Sequence, residues 1–394
     1  MKLADIVLLS TADWDNPFWT NKQHVAVTLA RLGHKVLYVD SLGLRRPSAT
    51  ARDLRRIFRR LLKAARPPRK VRDNLWVWSP IVLPWHGNRA VRHFNRALLA
   101  GGLRLCMGLL GLRKEWLWTY NPMTMEFVDI EGFSRRIYHC VDEIKAQPGM
   151  PVALLERAES KLTAVVDVVF ATSPSLARTR KQWNSNTYYL PNVADYEHFS
   201  QARSENTILP EDLASIREPR LGFIGAISGY KLDFNLLRHI ALVRSDWSIV
   251  LIGEVGEGDP WTDSSLLEGL PNLHLLGPRS YADLPAYLKG FDVALLPNVI
   301  NEYTDSMFPM KFFEYLAAGC PVVSTNLKAI VEYGSAVTIA DSTDAFVAAL
   351  SKVLAGDVPP LDRRLELARA HTYEVRTQRM LKLIDQPADR MEQL

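Results

Sequence analysis

The first forty residues narrow the chain to one fold class. Ala4 to Ser10 is a largely apolar run, the pattern of a parallel strand buried on both faces. A polar aromatic loop, Thr11 to Thr20, follows it. A helical stripe then runs through Val25, Leu29 and Leu32 and stops at Gly33. Lys35 to Asp40 is a second strand. Strand, helix and strand in this order imply a right-handed crossover and a Rossmann-like half. The pattern recurs, with strands expected at Leu75–Trp78, Trp116–Tyr120, Arg136–Cys140, Val168–Thr172 and Thr187–Leu190. Further on, strands are expected at Leu221–Gly225, Ile249–Ile252, Leu273–Leu276, Val293–Pro297, Pro321–Ser324 and Val337–Ile339. Helical stretches separate most of them, so the class is α/β.

At 394 residues the chain has room for two domains of ordinary size. Ser200 to Pro219 is polar, with prolines in its second half, and reads as the linker between them. Domains are expected at 1–200 and 220–365, followed by a C-terminal helical segment over 366–394. Three widely spaced cysteines show neither a metal-site spacing nor a disulfide framework, which fits a reducing cytoplasm. The N-terminus runs straight into a strand without a signal-peptide pattern. The longest apolar stretch, Ala97 to Leu112, is interrupted by Arg104 and is too short to span a bilayer.

The densest chemistry lies between Ser306 and Ser324. Pro309 sits where a first helical turn favours it, Gly319 where a helix ends, and Pro321-Val322-Val323 opens a strand. Lys311 falls in the first helical turn, where the helix dipole is already positive. An anion there would resolve the misfit, because free N–H groups and a lysine together hold a phosphate. Glu314, one turn later, would reach a neutral hydroxylated group such as a ribose. The same two residues also read as a simple ion pair worth about 0.3 kcal/mol.

Charge is uneven. The net value is +5, yet residues 45–72 hold twelve Lys/Arg against one acid, Asp53. Within 53–65, Leu54, Ile57, Phe58, Leu61 and Leu62 fall on one helical stripe and five basic residues cover the other face. Such a basic amphipathic helix reads as an anionic membrane-surface element, or as a solvated helix packed on its domain. No nucleic-acid-binding motif accompanies the charge.

Glu314, Ala317, Gly319, Pro321 and Val322 resemble the second glutamate and the Ala-x-Gly-x-Pro-Val tail of the nucleotide-sugar signature of GT-B glycosyltransferases. The form is similar to that of bacterial teichuronic-acid and exopolysaccharide transferases. Ser306 occupies the place of the first glutamate of the Glu-x7-Glu motif, with Glu302 and Asp305 nearby. Leu29–Val36 resembles the opening unit of those enzymes, without its Gly-Gly pair. Phe170–Leu176 and Leu190–Phe199 resemble steps near the end of their N-domain, the second without its glycine. The resemblance implies two Rossmann-like domains facing across a cleft, with C-terminal helices crossing back to the N-domain.

It also implies transfer of a sugar from a nucleoside-diphosphate sugar, UDP before GDP, to a lipid-linked or polysaccharide acceptor in bacterial envelope synthesis. Lys311 and then Lys231 would neutralise the departing diphosphate, and Gly225 would let it approach the backbone. Glu314 would hold the ribose, with Arg279 and Tyr281 flanking the base. No metal is implied if Lys311 carries the charge, and no Asp-x-Asp motif is present. Tyr138–Glu143 follows a strand, and within it His139 (as in many retaining members) or Asp142 (as in certain inverting ones) would take the acceptor proton. Asp142 also reads as a cap, His139 as a packed core ring, and Asp13 and Asp15 as outside candidates for acceptor contact. The protein would be cytoplasmic and peripheral at the inner membrane face. Two rivals stand beside this reading, a UDP-sugar epimerase and a degenerate nucleotide-binding scaffold subunit.

Overall fold

The computed structural model describes residues 3–16, 19–42, 67–81, 83, 89–259 and 261–385. The basic segment 53–65 lies outside the described residues. The chain divides into two units. Residues up to Leu190 and those from Thr377 form one, and Pro191–Arg376 the other.

The first unit is built on eight strands: Asp5–Leu9 (β1), Lys35–Val39 (β2), Arg69–Arg72 (β3), Leu75–Trp78 (β4), Trp116–Thr119 (β5), Arg135–Cys140 (β6), Val168–Ala171 (β7) and Thr187–Tyr189 (β8). They lie in the order β3-β4-β2-β1-β5-β6-β7-β8. All pairings are parallel except β3 with β4, a hairpin turned at Asn74 with φ +58°. β3 is absent from the sequence-based expectation because its residues, Arg-Lys-Val-Arg, read as charge. At a sheet edge that charge discourages further strand pairing. The helix Asn21–Arg31 (α1) opens with a capping box, in which Gln23 Oε1 accepts from the Thr20 amide at 3.1 Å.

The second unit carries Arg220–Ile224 (β9), Ser248–Ile252 (β10), Leu273–Leu275 (β11), Val293–Leu296 (β12), Val322–Thr325 (β13) and Thr338–Ala340 (β14). The order is β11-β10-β9-β12-β13-β14, all parallel. Counted within the unit this is 3-2-1-4-5-6, the doubly wound order. Its strand order reverses between β9 and β12, so the loops after those two strands flank the crevice where such sheets bind ligands. The stretch 200–219, expected as a linker, belongs to this unit instead. Ala202, Leu213 and Ile216 are buried in its core, so scattered apolar residues override the polar average. The two Rossmann-like sheets follow the expectation.

Candidate functional site

At the switch point of the second unit Gly225 directly follows β9. The amide of Gly225 donates to Ile252 O at 2.9 Å. Gly253, at the end of β10 with φ +155°, packs so tightly that a Cβ there would lie 1.8 Å from the Gly225 carbonyl oxygen. The loops beyond are zipped together, Ile227 N donating to Glu254 O (3.1 Å) and Gly256 N to Ile227 O (2.9 Å). Lys231 is fixed through its carbonyl, which accepts from Asn298 Nδ2 (3.0 Å) and Val299 N (3.1 Å) in the loop after β12. Its ammonium lies 5.2 Å from the Tyr230 ring centroid and 5.6 Å from that of Tyr303.

The helix Lys311–Ala318 begins without a side-chain cap and ends on Gly319 with φ +85°. Tyr315 bolts it to the sheet, its hydroxyl accepting from Ile224 N at 2.9 Å, one residue before Gly225. Asn192 Nδ2 donates to Phe308 O (2.6 Å) and secures the approach to the helix. Arg203 Nε donates to Ala317 O (3.2 Å) and Arg364 to Gly319 O, placing cations where the C-terminal carbonyls are negative.

Lys311 Nζ donates to Glu314 Oε2 at 2.6 Å, so the ion-pair reading of these two residues is realised. Glu314 is buried, and burial raises its carboxyl above the ordinary value against the opposing pull of Lys311. Lys311 keeps 24% of its side chain exposed and has three donors, of which Glu314 takes one. Glu257 is likewise raised by burial, while Lys231 and Lys311 pull it down and Glu254 pushes it up. Two cations, Lys231 and Lys311, and three carboxylates, Glu254, Glu257 and Glu314, therefore share one neighbourhood. Glu254 and Glu257 come from the turn after β10, and Glu314 from the helix. The signal for the first two was position, since the turn follows the strand beside β9.

Tyr281 joins this neighbourhood. Its ring stacks on His198 at 4.4 Å, and burial raises its phenol, with the Glu314 charge adding to the effect. His198, which the sequence did not single out, also acts on Glu314 electrostatically. Arg279 is engaged elsewhere. Its guanidinium meets Asp212 (2.6 Å) and the Tyr287 hydroxyl (2.6 Å). Ser306 is buried, Asp305 pairs with Lys328, and Glu302 is exposed.

In the first unit, β6 and the loop after it carry His139 and Asp142. His139 is 0% exposed, stacked on Tyr120 at 4.7 Å and ringed by Trp118 and Phe170. These surroundings are those of the packed core ring, one of the two readings of His139 given above. Asp142 is half-buried in the loop, where its carbonyl accepts from Ile144 N at 3.1 Å. The next residue, Glu143, is clamped by the buried Arg180 (2.6 and 2.9 Å), which also grips Glu159 (2.7 and 2.8 Å). Burial works against the Arg180 charge, but Cys140 and the two glutamates outweigh it and raise its pKa. Asp15 pairs with Arg69. Among the described residues no three His, Cys, Asp or Glu side chains are grouped to hold a metal ion.

Residues 218–356 match the family model described as glycosyl transferases group 1. Over 168 residues the chain is 33% identical to TuaH of Bacillus subtilis, named for teichuronic acid biosynthesis as a glycosyltransferase. That alignment spans 41% of this chain and 42% of the relative's length. Among solved structures, sucrose-phosphate synthase from Thermosynechococcus elongatus superposes with a TM-score of 0.67 at 16% identity, over 96% of this chain and 98% of that one. HepE of Anabaena, solved in complex with UDP, gives 0.61 at 11% identity, over 96% and 98%.

Proposed function

We propose, from the GT-B fold and the match of residues 218–356 to the group 1 glycosyltransferase model, that the chain moves a sugar from a nucleoside-diphosphate sugar to a lipid-linked or polysaccharide acceptor of the bacterial envelope. The donor is a UDP-sugar. The observation that carries the reading is the Lys311–Glu314 pair at an uncapped helix start, bolted by Tyr315 to the last residue of β9, just before Gly225. The diphosphate lies against Gly225 and takes its countercharge from Lys311 and Lys231. One aimed cation contributes about 3 kcal/mol of barrier lowering. Released from Lys311, Glu314 accepts the ribose hydroxyls, and Tyr281 lies along the base. Arg279 acts one step back, holding the Asp212–Tyr287 side of that loop. Asp142 takes the proton from the acceptor hydroxyl as the bond to the sugar forms and the nucleoside diphosphate leaves. The transfer proceeds without a metal. The protein works in the cytoplasm at the inner face of the plasma membrane, with segment 53–65 on anionic lipid.

Nucleotide-dependent thermal stabilisation tests this reading, with UDP, GDP, dTDP and CDP compared on the native chain and on Lys311→Ala. A ligand that binds only the folded state raises the midpoint by linkage. UDP is expected to give the largest shift and Lys311→Ala to abolish it. No shift with any of the four would sink the donor assignment and favour the scaffold reading, which the buried Ser306 in place of the first glutamate motivates.

A further inference from the structure

The helix Arg89–Leu110 (α2) has one face locked into the first unit and another left in solvent. Asn95, Leu99, Leu103, Cys106 and Met107 are buried. Asn95 exchanges two hydrogen bonds with the Leu83 backbone, at 2.8 and 2.9 Å. Gly102 lies so close to the Trp78 ring that a Cβ would come within 2.4 Å of it. These contacts tie that face of the helix to the first unit. Yet Phe94 (52%), Leu98 (37%), Leu105 (64%) and Leu109 (63%) are exposed. Their spacing of 4, 7 and 4 residues puts them on one stripe, about 22 Å long at 1.5 Å per residue. Arg104 is exposed at its edge, and the 22 residues of the helix contain no Asp or Glu.

We propose that α2 lies in the surface of an anionic bilayer, its Phe94–Leu109 stripe in the acyl boundary and Arg104, at the edge of the stripe, against phosphate headgroups. The inference rests on the membrane reading given above but assigns the contact to a second element with its own evidence. Charge selects the occupant. An acid-free helix paired with its own copy would bring like charges together, whereas anionic lipid complements them. Insertion is parallel to the surface. Among the described residues no helix is long and apolar enough to cross a membrane.

The test is co-sedimentation of the full chain with vesicles of phosphatidylglycerol mixed into phosphatidylcholine, and with phosphatidylcholine alone. Leu105→Ser/Leu109→Ser is compared with Arg55→Glu/Arg59→Glu. Both leucines already face solvent, so the serine variant is expected to keep its fold and its response to UDP. Its binding to the anionic vesicles should fall at least about tenfold. A fluorophore on Leu109→Cys should shift to the blue on those vesicles; the three native cysteines are buried and leave the new thiol as the site of labelling. Unchanged binding of the serine variant, with loss in the glutamate variant, would overturn the α2 assignment and leave segment 53–65 as the contact. Failure of the native chain to bind either vesicle would overturn both. A lipid-free dimer that the serine variant dissociates would give the face to a second copy and overturn the proposal too.

Discussion

Lys311 and Glu314 illustrate how much one pair of residues settles. Burial holds the Glu314 carboxyl above its ordinary value of 4.5, and Lys311 opposes the shift. A carboxyl raised in the folded state favours folding fully below its unfolded pKa. It loses that contribution as pH climbs through the folded value. Removing Lys311 withdraws the opposing charge and raises the carboxyl further. Lys311→Ala is therefore expected to cost little near about pH 5 and about 2 kcal/mol near about pH 8. Adding Glu314→Gln should return most of the loss at the higher pH. Urea denaturation at both pH values measures this, and a pH-independent loss would mean that Glu314 is not the buried charge at issue. Gly253 offers a second residue-scale test. A Cβ there meets the Gly225 carbonyl at a φ that side chains rarely adopt, whereas Gly229 has open space around it. Gly253→Ala is expected to lose at least about 2 kcal/mol and the UDP response, and Gly229→Ala to stay within about 0.5 kcal/mol of the native chain. Equal losses in the two variants would refute the close-approach argument.

At the scale of elements, two devices hold the candidate residues in place. Tyr315 ties the Lys311 helix to β9, and Tyr315→Phe leaves the Ile224 amide without that acceptor at about 1–2 kcal/mol. Its UDP response should weaken without vanishing, because Lys311 remains. Arg180 ties the Asp142 loop, through Glu143, to Glu159 on the helix Val152–Val165. Arg180→Met strands two buried carboxylates and is expected to cost about 3 kcal/mol in urea denaturation. Arg180→Lys should recover little, since an ammonium cannot match a two-sided guanidinium clamp. Neither device is legible in the sequence. Tyr315 meets Ile224 across 91 residues, and Arg180 meets its partners across 37 and 21. The strands were legible because both faces of these sheets are covered, which leaves continuous apolar runs such as Ile249–Ile252 and Val293–Leu296. β3 was not, because edge position replaced apolar residues with charge. His139 shows the converse limit. A strand's register sets which side chains end inside the sheet's packing, and residue type alone does not reveal it.

For the whole molecule, the question is where a nucleotide is felt. The 3-2-1-4-5-6 order of the second unit puts its switch point between β9 and β12. Lys231 and Gly225 lie on the loop after β9, Asn298 on the loop after β12, and Glu257 on the turn after β10. Lys311 and Glu314 come from the helix before β13. Four segments from three connections thus belong to one neighbourhood of one unit, and a ligand bound there must order all four together. Hydrogen exchange on the full chain, with and without UDP, should show added protection over 225–233, 253–259, 297–301 and 310–316. Local opening of these loops is suppressed by the factor 1 + [UDP]/Kd as long as the opened state does not bind. The same four segments should respond in parallel across a UDP titration, with one midpoint, because they report one binding event. Lys311→Ala should remove the effect from all four at once. Protection confined to a single loop would mean that the nucleotide touches the surface without using the switch point. Protection centred on β1 and β5, at the corresponding reversal of the first unit's sheet, would move the donor site out of the second unit altogether.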